Sequence, residues 1–127
     1  MKNRPLRARI GFAVAGWREA FARENSFRTQ TRMAGAALVA LLVLRPAPLW
    51  WALVGLTCAL VLALELINSA VEAVIDLLHP GIHPSVRIAK DMLAGAVLMM
   101  SVAALIVGTA MVVANGPRFL GEIGLWE

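Results

Sequence analysis

The sequence predicts an all-α integral membrane protein, with an N-terminal amphipathic surface helix followed by three transmembrane helices. Three observations carry that prediction. Hydrophobic residues make up 60% of the chain and charged residues 16%, against roughly 45–50% and about 25% in a soluble domain. The excess is gathered into charge-free runs at Met33–Leu44, Leu49–Leu64 and Met92–Gly116. So short a chain cannot bury those runs in a core of its own, so lipid or partner helices must cover them. The basic residues are also unevenly placed: eight of the twelve Lys and Arg lie in the first 32 positions, Arg87 and Lys90 lie between the second and third runs, and only Arg45 and Arg118 fall elsewhere. By the positive-inside rule the N-terminus and the 79–91 loop are expected in the cytosol, with the 45–48 turn and the C-terminus outside. Membrane attachment accounts for the basic start, so nucleic acid is not expected as a partner. The 127 residues are read as a single membrane domain, and the lone Cys58 rules out an internal disulfide.

Each element follows from local pattern. Leu6, Ile10, Val14, Trp17 and Phe21 recur at helical spacing, which predicts a surface helix over about 6–28 with its apolar stripe in the membrane interface. The apolar stretch Ile10–Trp17 is short and followed at once by Arg18 and Glu19, so a cleaved signal peptide is not expected. The first crossing is expected at 30–45, ending at Arg45-Pro46-Ala47-Pro48, where two prolines favour a tight turn. The second is expected at 49–78. At 1.5 Å per residue it is about 45 Å long, more than the ~30 Å hydrocarbon layer, so its end projects into the cytosol until His79-Pro80-Gly81 stops it. The third is expected at 87–114, closed by Asn115-Gly116-Pro117, with 115–127 an external tail. Small residues such as Gly55, Ala59 and Ala63 on the second run favour a packed bundle.

The second run carries the chemistry. Glu65, Asn68, Ser69, Glu72 and Asp76 are offset by three, four, seven and eleven residues from Glu65, so at 100° per residue they share one face. Leu64, Leu66, Val71, Val74 and Ile75 point elsewhere. Glu65 falls at the inner edge of the hydrocarbon, with Glu72 and Asp76 beyond it. Acids at such a depth are costly and mark functional sites. An interhelical polar clamp or a solvated helix end is the plainer alternative, and it suits Asp76 best. Three acids in a row need a neutralising cation. Mg²⁺ prefers a few carboxylates together with phosphate oxygens, and Lys90 at the same depth offers a point charge for phosphate. His79 and His83 flank Pro80-Gly81 and form no metal set. No Gly-x-x-x-x-Gly-Lys loop, Ser-His-Asp set or Cys-x-x-Cys pair is present.

The run Glu65-Leu66-Ile67-Asn68-Ser69-Ala70-Val71-Glu72-Ala73-Val74-Ile75-Asp76, followed by Ala89-Lys90-Asp91 and a further apolar run, resembles the prokaryotic diacylglycerol kinase family. Glu24-Asn25-Ser26-Phe27-Arg28 resembles that family's acidic-x-x-Phe-Arg element, and Gly16, Trp17 and Arg18 fit its surface helix. The resemblance extends over roughly Ile10 to Gly108. It implies a homotrimer in the bacterial inner membrane that transfers the γ-phosphate of ATP to a lipid hydroxyl, with Mg²⁺ as cofactor. It further implies Glu65 as general base, and Glu24 and Glu72 as metal ligands. ATP contacts are implied at Glu24, Asn68, Glu72, Asp76, His83, Lys90, Asp91 and Phe12. The lipid would border Glu65, Ser26, Phe27, Arg28, Thr29, Gln30 and Ala94. Gln30 stands where some diacylglycerol-preferring members carry an acid, and Leu93-Ala94 replaces a Gly-Ser pair found in some. Those departures bear on the choice of lipid and not on the chemistry; diacylglycerol is the expected acceptor and undecaprenol the runner-up. A non-enzymatic ion- or proton-conducting subunit is the reading from a different class, because membrane acids also serve such paths.

Overall fold

The computed structural model describes residues 3–81 and 83–125. Among them there are four helices and no strand: α1 (Leu6–Arg23), α2 (Asn25–Leu44), α3 (Pro48–Leu78) and α4 (Pro84–Glu122). α3 packs most extensively on α4, and α2 lies against both. Two of the helices, α3 and α4, are long and apolar enough to cross a membrane. α2 has 20 residues, but Arg28, Gln30 and Arg32 dilute its first turns.

The first helix is shorter than its sequence pattern predicts. Instead of running to about residue 28 it ends at Arg23, and α2 begins at Asn25 rather than 30. Glu24 between them is extended, at φ −103° and ψ 111°. Its N–H donates to the Ala20 carbonyl, and its own carbonyl accepts from the Arg28 N–H, so one residue closes one helix and opens the next. The Arg28 guanidinium holds the corner by donating to the carbonyls of Phe21 and Ala22, at 3.0 Å each. These would otherwise be unsatisfied groups of a helix end. Phe27 is buried and anchors the first turn of α2. Leu6, Ile10, Trp17 and Phe21 are exposed along α1.

At the other end of α2, Arg45 adopts the left-handed conformation (φ 47°) as the helix cap, and Pro48 opens α3, where its missing N–H has no cost. α3 runs unbroken for 31 residues, about 46 Å, and stops at His79 as expected. α4 corrects the sequence reading. It starts at Pro84 rather than Arg87, and Asn115-Gly116-Pro117 does not end it. Pro117 removes only the bond to the Val113 carbonyl. The Asn115 amide donates to the Met111 carbonyl. Arg118 reaches across to the carbonyls of Leu44 and Arg45 and pairs with Glu122. Most of the expected external tail is therefore helix, tied to the end of α2; its last two residues lie outside the described residues.

The buried core sits at this turn end. Leu41, Leu44, Val54 and Met111 pack together, joined by Ala37, Ala40, Trp50, Cys58, Val107 and Phe119. Van der Waals fit of this kind holds helices together where lipid replaces water.

Candidate functional site

The other end of the bundle, towards the His79–His83 loop, collects the polar side chains. Glu65 is 3% exposed, the one buried charged residue among those described. Burying a carboxylate is costly without partners. Its partner comes from another helix: the Ser26 hydroxyl on α2 donates to Glu65 Oε2 at 3.1 Å. The corner at Glu24, the Phe27 anchor and the Arg28 clamp are what bring Ser26 there.

One turn along the same stripe, Asn68 Oδ1 is buried and accepts no hydrogen bond. A buried acceptor of this kind awaits a donor. Glu72 is half-buried and Asp76 exposed. Lys90 Nζ lies 2.8 Å from Asp76 Oδ1, so α3 and α4 are bridged near the loop end. Asp91 is exposed beside it, and Ala94 is exposed one turn further along α4.

Glu24 is half-buried at the corner. α2 and α3 are joined by a short turn and run in opposite directions, so Glu24, preceding Ser26, lies on the side of Glu65 towards which α3 continues to Glu72. Both carboxylates supply the hard oxygen atoms that Mg²⁺ takes. Among the described residues no group of three or more His, Cys, Asp or Glu could hold a metal by itself. A site with two protein carboxylates, completed by phosphate oxygens and water, fits this donor set. His83 acts locally on the backbone: its Nδ1 accepts from the Ser85 N–H at the start of α4, and its ring lies 5.8 Å from that of His79. Phe12 is exposed on α1, and no hydrogen bond among the described residues joins it to the stripe.

Two cavities flank this end. A groove of about 620 Å³ between α2 and α4 has Thr29, Gln30 and Ser101 at its polar end and Ala37, Val61, Leu105 and Met111 along its length. Gln30 Nε2 donates to Ser101 Oγ at 3.0 Å, and Ser101 donates to the Val97 carbonyl. Val61 and Gln30 each lie one turn from Glu65 and Ser26 respectively, so the lining comes within one turn of their contact without including either residue. Ser101 does not stand out in the sequence. A hydroxyl inside the third apolar run is its only signal. A second hollow of about 720 Å³ lies under α1, lined by Trp17, Phe21, Phe27, Ala59, Leu62 and Leu66 among others.

Thus Ser26, Arg28, Gln30, Glu65, Asp76 and Lys90 are joined by direct side-chain hydrogen bonds to another helix, while no such bond joins Phe12, Glu24, Asn68, Glu72, His83, Asp91 or Ala94 to another helix among the described residues. The family model described as Prokaryotic diacylglycerol kinase matches residues 11–112. A diacylglycerol kinase of Synechocystis sp. is 42% identical over 98 residues, 76% of this chain and 56% of that protein. The match therefore spans little more than half the length of that relative. An undecaprenol kinase of Bacillus subtilis is 32% identical over 67% of this chain and 69% of its own. A diacylglycerol kinase of Helicobacter pylori is 36% identical over 69% of each. No solved structure matches the chain.

Proposed function

The chain belongs to the prokaryotic diacylglycerol kinase family, and we propose that it is a membrane lipid kinase transferring the γ-phosphate of MgATP to the hydroxyl of diacylglycerol, giving phosphatidic acid. The observation that carries the reading is the buried Glu65 carboxylate, held by Ser26 one helical turn from Val61 and Gln30 in the lining of an apolar groove. A lipid hydroxyl is confined to the headgroup layer and ATP to water, so the catalyst must work at their boundary. The acceptor hydroxyl gives its proton to Glu65. Its oxygen then bonds to the γ-phosphorus as the bond to the bridging oxygen breaks and ADP leaves. Glu24 and Glu72 would hold Mg²⁺, which neutralises phosphate charge. Lys90 parts from Asp76 to meet phosphate oxygens, with Asn68, His83, Asp91 and Phe12 around the nucleotide. Holding the reactants in line supplies most of the rate. Ser26–Gln30 and Ala94 border the lipid.

The proposed assembly is a homotrimer in the bacterial inner membrane, each subunit crossing three times with α1 on the cytosolic surface. Two features support it: the basic residues cluster at the N-terminus and loop end, and α3 and α4 leave broad apolar surfaces exposed. Undecaprenol is the second acceptor, favoured by the Bacillus subtilis relative and by Gln30. A proton path has less support. Beyond Glu65 towards the turn, α3 offers only Thr57 and Cys58 as polar side chains, and Thr57 bonds its own helix at Leu53 and Val54.

The test is phosphorylation of a lipid panel by the purified protein with radiolabelled ATP. Label in phosphatidic acid is expected. Label confined to the polyprenyl alcohol would give the substrate to undecaprenol, and no label in any lipid would overturn the kinase.

A further inference from the structure

We propose that Ser26 is a positioning residue for catalysis: its hydroxyl holds one oxygen of the buried Glu65 carboxylate so that the other faces the lipid hydroxyl. The proposal rests on the kinase reading and gives Ser26, which borders the lipid there, a separate role exerted through Glu65. Glu65 Oε2 receives the Ser26 hydroxyl at 3.1 Å. No described residue donates to Oε1. The carboxylate is thus differentiated, with one oxygen held and one free. A free-swinging carboxylate on a long side chain presents its lone pairs in many directions. One tied at a single oxygen keeps the other aimed, which is how orientation lowers a barrier.

The local structure is arranged for this contact. Glu24 breaks the helix two residues earlier, and Phe27 next in sequence is buried as an anchor. Arg28 locks the corner through Phe21 and Ala22. A first turn held at three points gives Ser26 a fixed place against α3. Residue 30, one turn further, meets α4 at Ser101, so the same face of α2 sets both the base and the mouth of the groove. The hydroxyl also offsets part of the cost of burying Glu65, since hydrogen bonds to charged groups are the stronger kind.

The experiment compares the parent with Ser26→Ala, Ser26→Thr, Glu65→Gln and the double variant Ser26→Ala/Glu65→Gln. All are purified as full chains in detergent–lipid micelles, with kcat and KM measured for ATP and for lipid. Ser26→Ala is expected to lower kcat roughly tenfold, with both KM values within about twofold, because orientation and not binding is lost. Ser26→Thr keeps the hydroxyl and should stay within about threefold of the parent, since residue 26 is exposed apart from this contact. The decisive outcome is in the double variant. Where Glu65 is already Gln, removing the hydroxyl should change kcat less than about twofold, the signature of two groups acting as one unit. Any of three results would overturn the proposal: an unchanged kcat in Ser26→Ala, an equal loss in Ser26→Thr, or a further tenfold loss in the double variant. A parent inactive on every lipid would instead remove the kinase reading and this proposal with it, so the two failures are told apart by the parent alone.

Discussion

The two ends of the bundle are built on opposite principles. At the turn end, Leu41, Leu44, Val54 and Met111 close on one another, and Arg118 ties α4 to the last carbonyls of α2. At the loop end a carboxylate is buried, an amide oxygen has no partner, and a cation is held by an exposed acid. The first end is finished by the chain itself. The second leaves a buried acceptor without a donor and its cation on an exposed acid. Stability should therefore reside at the turn end and chemistry at the loop end, and changes at each should be separable.

The strongest way to break that division is at the metal. Glu24→Gln and Glu72→Gln are each expected to raise the Mg²⁺ concentration for half-maximal activity by roughly 10–100-fold and to raise the apparent ATP requirement. Parent-like Mg²⁺ titrations in both would place the metal elsewhere.

The next test asks whether the loop end is completed by a neighbouring subunit. Glu24→Gln and Glu65→Gln, each strongly impaired alone at the parent's working Mg²⁺ concentration, are co-assembled at equal amounts and assayed at that concentration. If each site takes Glu24 from one subunit and Glu65 from the next around a ring of three, about a quarter of the sites are whole and activity returns in that proportion. Efficient mixing without recovery would mean that each subunit carries its own complete site.

At the turn end the expected effect is on stability and not on the nucleotide. Met111 is the largest fully buried side chain. Met111→Ala should cost about 2–3 kcal/mol by leaving a cavity, read as an earlier midpoint in detergent-driven unfolding. The KM for ATP should be unchanged. A shift in KM as large as that from Glu72→Gln would dissolve the distinction between the ends.

The smallest effect belongs to Asp76. The Lys90–Asp76 pair is substantially exposed, and such pairs contribute little to stability. Asp76→Asn should leave the unfolding midpoint in place and change the KM for ATP only by about two- to threefold.

The same contrast explains which features are legible in the sequence. Charge-free runs and the 100° periodicity of Glu65, Asn68, Glu72 and Asp76 are local signals, and they locate α3 and its polar face. The Pro46 turn and the stop at His79 are equally local. The break at Glu24 is not, because Leu6–Phe21 and the following residues keep a helical pattern, and the corner depends on Arg28 folding back on Phe21 and Ala22. Gly116-Pro117 carries every mark of a helix end. It fails to end α4 because Arg118 beyond it ties the helix to the end of α2, while the Asn115 amide before it donates back to the Met111 carbonyl. Likewise, the face of α2 that meets Glu65 and Ser101 depends on how three helices pack. Ser26 and Gln30 can be read as bordering the lipid, but their partners cannot.

The central claim is that Glu65 accepts the lipid hydroxyl's proton. Its most direct test is single-turnover phosphoryl transfer by Glu65→Gln at saturating ATP and lipid, with nucleotide binding measured on the same sample. Gln keeps the volume and the hydrogen bond from Ser26 but cannot take the proton. The transfer rate should fall by about 10²–10⁴-fold while ATP affinity stays within about threefold. A transfer rate equal to the parent's would contradict the account.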